Sequence, residues 1–211
     1  MKWTLQRPGT VLRSVLFWGL AWGAFEATIG FVLHQLPFAI GAYVWFPAAY
    51  FFMDRTYQKT GRRCAVVWTA LLSASLKMLN LFWAIRSDYV INPAVSIVLE
   101  SLAMVGVLSF TREGKTSFWQ IAWKVSATNA LWRLGYTLYA AALVPAWMRE
   151  VSVVRDAGAL LSFVGHEHVL SSLACVGVMM VFQRRTKRAP APRVNPASHH
   201  SQYSETHKES S

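Results

Sequence analysis

The chain has 211 residues, 54% of them hydrophobic, and a formal net charge of +11. That is too apolar for an ordinary soluble domain of this length. Most Lys and Arg lie outside the apolar segments, so the charge does not describe the basic folded face of a nucleic-acid binder.

Residues 1–13 are polar and basic, with Lys2, Arg7 and Arg13, and read as a cytoplasmic N-terminal segment. The apolar run that follows resembles a signal peptide, with Gly23-Ala24 as a small-residue site, but it continues to Leu33. About twenty residues is the length of a membrane span, so residues 14–33 are expected as the first transmembrane helix. Gln35-Leu36-Pro37 reads as a tight turn. A second helix is expected over residues 38–53, followed by a charged loop, 54–63. A third runs over 64–83, then a short polar loop, 84–92. The fourth starts at Pro93, a residue suited to a first helical turn, and ends near Phe110. A loop over 111–117 holds Arg112, Glu113 and Lys115. The fifth spans 118–143, stopped by Pro145. After a mixed-charge loop, 148–158, the sixth spans 159–182. Residues 184–211 are basic, then rich in Pro, Ser and His; with little apolar surface to bury they are expected to be a disordered cytoplasmic tail. The expected fold is all-α: a polytopic membrane protein with six transmembrane helices in one bundle over residues 14–183. No internal repeat is evident.

Six spans put both termini on one side of the membrane. That side also holds Arg55, Lys59, Arg62, Arg63, Arg112, Lys115 and the basic tail, whereas the other holds Arg86, Arg149 and Arg155. By the positive-inside rule both termini are cytoplasmic, in a cell membrane. Trp83 and Trp147 at outer helix ends, and Trp68, Trp119 and Trp123 toward inner ends, fit interfacial belts.

Five ionisable residues fall inside the expected spans: Glu26, Lys77, Glu100, Arg133 and Glu167. An acidic residue at a helix centre opposes insertion by roughly 2.5–3.5 kcal/mol, so each needs a partner or a task. Counted from the outer helix ends at about 1.5 Å per residue, four of them lie roughly 9–12 Å deep and Arg133 roughly 10–18 Å. Five helices thus bring five charges to one layer in the outer half of the membrane. Each has polar company on its own face. At about 100° per residue Glu26, Gly30 and His34 share a face of the first helix. Thr69, Ser73, Lys77 and Asn80 form a stripe on the third, and Ser96 joins Glu100 on the fourth. Asn129, Arg133 and Tyr136 align on the fifth, and Glu167 with Ser171, flanked by His168 and Ser172, on the sixth. Lys124 lies on the opposite side from Arg133 and reads as a lysine that snorkels to the interface.

The layer has two readings. Glu26 or Glu100 can pair with Lys77, and Glu167 with Arg133, fixing helix register with no ligand. Alternatively the layer lines a cavity open to the outside, with Glu26, His34, Lys77, Asn80, Glu100, Asn129, Arg133, Tyr136, Glu167 and His168 as ligand-binding candidates and Trp22, Tyr43 and Trp83 among the surrounding aromatics. An acid–base enzyme using Glu26, Lys77 and His34 and a structural assembly subunit are further possibilities. No metal or other cofactor is expected. His166 and His168 are about 200° apart on a helix and cannot hold one ion from the same face. A site of Glu26, His34 and His168 is the weaker metal reading. His199, His200 and His207 fall in the tail. Neither a zinc-protease helix motif nor a nucleophile elbow occurs. Cys64 and Cys175 have no paired spacing and read as core thiols. No phosphate-binding loop is present, so the chain is not expected to hydrolyse nucleotides itself.

Gly19, Gly23 and Ala27 lie on one face at four-residue spacing, on the same side as Glu26. With six short spans, both termini inside and a polar site in the outer half, residues 10–183 resemble the substrate-binding S component of energy-coupling factor transporters. The resemblance implies capture of a small solute, such as a vitamin, from outside. It also implies partnership with a transmembrane coupling subunit and two ATPases, with Gly19, Gly23 and Ala27 as the expected contact to that subunit.

Overall fold

The computed structural model of the chain describes residues 8–34, 41–82, 87–111, 117–143 and 153–188. These residues are helical apart from short connections, and no strand occurs among them. α1 is Pro8–His34 and α2 Gly41–Thr60; α3, Arg63–Met78, ends in a 3₁₀ turn, Leu79–Phe82. α4 is Asp88–Phe110 and α5 Phe118–Leu143. The last helical stretch consists of α6, Ala157–Leu161, a π turn, Ser162–His166, and α7, Glu167–Arg188. Three stretches among the described residues are long and apolar enough to cross a membrane: Arg63–Phe82, Val90–Phe110 and Ala157–Gln183.

Local chemistry explains where the helices begin and end. α1 starts at Pro8, whose missing N–H costs nothing in a first turn, so the expected N-terminal segment is partly helical and Arg13 lies inside the helix. α2 runs seven residues beyond its expected end, because residues 54–60 support one another along the helix. Gln58 donates to Asp54 at 2.6 Å and Arg55 to Gln58 at 3.3 Å, and Lys59 faces the negative end of the helix dipole. The expected ten-residue loop shrinks to Gly61 and Arg62. Gly61 has φ 62°, and its N–H closes on the Tyr57 carbonyl at 2.7 Å. Only glycine takes that left-handed cap without strain.

α4 begins before Pro93, not at it. The N–H groups of Val90 and Ile91 already bond the Ser87 carbonyl at 3.0 and 2.9 Å, so the first turn is closed when Pro93 arrives inside the helix. α5 has its expected bounds, and a reciprocal cap sets its start: Gln120 N–H donates to Ser117 Oγ and Ser117 N–H to Gln120 Oε1, both at 3.3 Å. Asp156 caps α6 by accepting the Ala159 N–H at 2.7 Å. The last helix extends to Arg188 instead of ending near residue 182, so Arg184, Arg185, Lys187 and Arg188 are helical and the expected tail boundary at 184 moves C-terminally. Residues 189–211, expected to be disordered, lie outside the described residues.

Contacts divide the chain into Met1–Met180, which holds the packed helices, and Val181–Ser211, which contributes the end of α7. Within the first unit α3 is central, packed against α1, α2 and α4, and α5 packs on the far side of α4. α2 serves two apolar clusters. In one, Ala49 and Met53 meet Trp22 of α1, Val66 and Ala70 of α3 and Met104 of α4. In the other, Phe46 and Tyr50 meet Val125 and Trp132 of α5, Phe163 of the π turn and Cys175 of α7. Two glycines set the approach of α1 to α3. A Cβ on Gly19 would stand 2.8 Å from Leu72 Cδ2 and 3.1 Å from the Thr69 carbonyl, and one on Gly23 only 2.5 Å from Leu76 Cδ1. The small-residue stripe is therefore filled by α3 of the same chain. Gly19 and Gly23 do not offer the free coupling face expected of them, because the polar groups beside them draw that side of α1 inward. Ala27, on the same stripe, is half-buried.

Candidate functional site: two charge clusters

The expected single layer of charges resolves into two clusters of different character. The first is built on Asn129 and Arg133, one turn apart on α5. Asn129 Nδ2 donates to the His168 carbonyl at 3.0 Å and to the Ser171 and Ser172 hydroxyls at 2.9 and 2.8 Å. Asn129 Oδ1 accepts from Trp132 Nε1 at 2.8 Å and Arg133 Nε at 3.0 Å. Arg133, 2% exposed, donates Nη1 to the Phe163 carbonyl at 2.6 Å and Nη2 to Ser171 Oγ at 3.2 Å. Nη1 also pairs with Glu167 Oε2 at 3.5 Å. The guanidinium lies 4.4 Å from the centre of the Phe163 ring and 5.0 Å from that of Trp132.

The π turn serves this cluster. The Glu167 N–H reaches back five residues to the Ser162 carbonyl, and Phe163 within the wider turn offers its own carbonyl to Arg133. Every nitrogen of Arg133 has a partner, so the cluster is a closed clamp between α5 and the last helix. This is what makes a buried cation tolerable.

The second cluster joins α1, α3 and α4. Glu26, Lys77 and Glu100 are 7%, 3% and 4% exposed. Lys77 Nζ donates to the backbone carbonyl of Glu26 at a long 3.5 Å. Among the described residues no carboxylate lies within ion-pair distance of that ammonium. Glu26 Oε2 and Lys77 Nζ converge beside Gly30, where a Cβ would lie 3.6 and 3.7 Å from them and 3.2 Å from Trp45 Cη2. Glu100 lies within electrostatic reach of both Glu26 and Arg133, with the Ser96 hydroxyl beside it. The Trp22 indole N–H lies near the Glu26 carboxylate but among the described residues meets no acceptor with hydrogen-bond geometry, although Trp22 is fully buried. Ser73 Oγ, one turn from Lys77, is also buried with no partner among the described residues. Two like charges, one loosely held cation and two orphaned polar atoms make this cluster the candidate site.

The remaining expected residues fall around these two. Tyr136 is half-buried and packs on Trp132, Phe163 and Tyr139, beside the first cluster. His168 contributes its carbonyl to Asn129, while its ring bonds Ser126 at 3.3 Å. Asn80 lies in the 3₁₀ turn that ends α3 and is half-buried. The His34 side chain and Trp83 lie outside the described residues. Tyr43 is half-buried, its hydroxyl 3.5 Å from His166 Nδ1. Lys124 lies within electrostatic reach of Asp54 at the end of α2, away from both clusters. The Phe163 carbonyl and Trp132 were not legible as site groups, since a backbone acceptor and an apolar ring carry no polar signal. An apolar groove of about 450 Å³, lined by Ala130, Leu134, Thr137, Leu160, Leu161 and Val164, adjoins Arg133 and His168 on the outer side of the first cluster. No group of three His, Cys, Asp or Glu suited to a metal ion occurs among the described residues.

These features define an all-helical protein, with three described helical stretches apolar enough to cross a membrane and two buried charge clusters between its helices. Comparison with protein-family models, curated proteins and solved structures finds no match.

Proposed function

We propose that the chain crosses the cell membrane six times, with both termini in the cytoplasm, and is a substrate-binding subunit that takes up a small polar solute from outside. The reading is supported by the length of the other three long helices. α1, α2 and α5 have 27, 20 and 26 residues, so at about 1.5 Å per residue each reaches the roughly 30 Å of a hydrocarbon core. The asymmetric distribution of Lys and Arg supports the orientation.

The observation that carries the binding role is the incomplete pairing of Glu26, Lys77 and Glu100, all buried. Register-fixing alone is better served by a closed cluster such as that around Arg133. A site that must exchange a solute keeps polar groups whose partners come with the ligand. With no phosphate loop in the chain, energy for release inward would come from a separate transmembrane coupling subunit and ATPases, as the resemblance to energy-coupling factor S components implies.

The test is to purify the full chain in mild detergent, denature it, and identify released small molecules by mass spectrometry. The wild type should carry a solute in amounts comparable to the protein. Glu26→Gln and Glu100→Gln should carry far less while eluting as the same folded species. Equal loading in all three would remove the site from these residues.

A further inference from the structure

The charge balance of the second cluster bears on which solute it takes, an inference that rests on the solute-binding reading above. Over the described side chains the two clusters hold three carboxylates, Glu26, Glu100 and Glu167, against two cations, Lys77 and Arg133. Arg133 is engaged with Glu167 and with neutral acceptors. Lys77 lies within electrostatic reach of Glu26, but its hydrogen bond is to a neutral backbone carbonyl, and the electrostatic neighbours of Glu100 are Glu26 and the already engaged Arg133. The two clusters hold one carboxylate more than they hold cations, where an unpaired charge is most expensive.

Two further observations point to a ligand. Among the described residues the Trp22 N–H, beside the Glu26 carboxylate, and the Ser73 hydroxyl are fully buried without a partner in hydrogen-bond geometry, so the site has hydrogen-bonding capacity to spare, including a donor that can only meet an acceptor. The edge of the Trp45 ring borders the point beside Gly30 where Glu26 and Lys77 converge, an apolar wall against which the carbon frame of a ligand can pack.

We propose that the site formed by Glu26, Lys77 and Glu100 binds an organic monocation, an ammonium or amidinium, and binds most tightly one that also carries a hydrogen-bond acceptor. The cation neutralises the surplus carboxylate, Trp22 N–H takes an acceptor where the ligand has one, and Lys77 is the resident cation beside Glu26 with which the ligand competes.

The roles of the two signs of charge make the proposal testable with probes of one shape. Benzylammonium, benzyl alcohol and benzoate are titrated against the full chain in detergent at neutral pH, read by thermal shift and calorimetry. Benzylammonium should stabilise the protein saturably and the other two should not. Glu26→Gln and Glu100→Gln, both near-isosteric, should weaken it by about tenfold or more. Lys77→Met should leave its binding intact or tighten it, and Glu167→Gln, which belongs to the closed clamp, should leave it unchanged. Stabilisation by benzoate that disappears in Lys77→Met would overturn the cation assignment while leaving a solute site at this cluster. Equal responses to all three probes, unaffected by the Glu26 and Glu100 changes, would overturn both. Absence of any response overturns the cation assignment; the loading measurement on the wild type then decides the solute-binding reading separately.

Discussion

Arg133 donates to the Phe163 carbonyl at 2.6 Å while its guanidinium lies 4.4 Å from the centre of the same residue's ring. One residue of the π turn thus receives the buried cation twice, through its backbone and through its π face. Removing the cation leaves Glu167, the Phe163 carbonyl and Asn129 Oδ1 short of a partner. Arg133→Met should therefore cost about 3–5 kcal/mol, the range for breaking a buried pair on one side. Arg133→Met combined with Glu167→Met should recover part of that loss. Thermal unfolding of both variants in detergent checks this; a single variant as stable as the wild type would show the clamp to be idle.

The α1–α3 contact makes a contrasting pair of predictions. Gly23→Val should destabilise by about 1–3 kcal/mol, the usual cost of overpacking, because a Cβ there meets Leu76 at 2.5 Å. Trimming the obstacle with Leu76→Ala in the same chain should restore some of the loss. Gly106 in α4 has nothing within 4 Å of a built Cβ. There Gly106→Ala should be neutral or stabilising by up to about 1 kcal/mol through helix propensity. A comparison of melting temperatures separates the two sites.

At the cap of α6, the Ala159 N–H, then Arg155, hold the Asp156 carboxyl below its ordinary value. A group whose folded pKa is depressed contributes stability above its unfolded pKa and loses it as pH falls through the folded value. Protection of the Ala159 amide against hydrogen exchange should accordingly fall on acidification below the usual aspartate range. In Asp156→Asn, whose side chain caps without titrating, protection should be independent of pH over that interval.

Orientation can be read by cysteine accessibility after replacing Cys64 by Ser, since Cys64 is exposed and not the core thiol expected, whereas Cys175 is buried. A membrane-impermeant thiol reagent added to intact cells should label a cysteine at Ser87 but not one at Ser198. Labelling at both positions, or at Ser198 alone, contradicts cytoplasmic termini.

Much of the helical plan was legible in the sequence alone, and the reasons are local. Hydrophobic length fixes where a helix can lie, and α5 kept its expected bounds because Ser117 and Gln120 cap its start and Pro145 lies just beyond its end. The misplaced boundaries were local too, but turned on side-chain bonds that composition does not reveal. The Asp54–Gln58 bond carried α2 through an apparent loop, and the Ser87 turn started α4 before Pro93. That Glu26, Lys77, Glu100 and Arg133 turn inward also followed from the sequence, since the angle per residue is a constant of the helix and sets them on the polar faces. Which charges meet did not follow. Pairing depends on which helices are neighbours and how closely they approach, and here two glycines bring α1 onto α3 while a π turn aims a carbonyl at Arg133. Those are properties of packed surfaces, so the division into a closed clamp at Arg133 and an underpaired cluster at Glu26, Lys77 and Glu100 belongs to the tertiary structure.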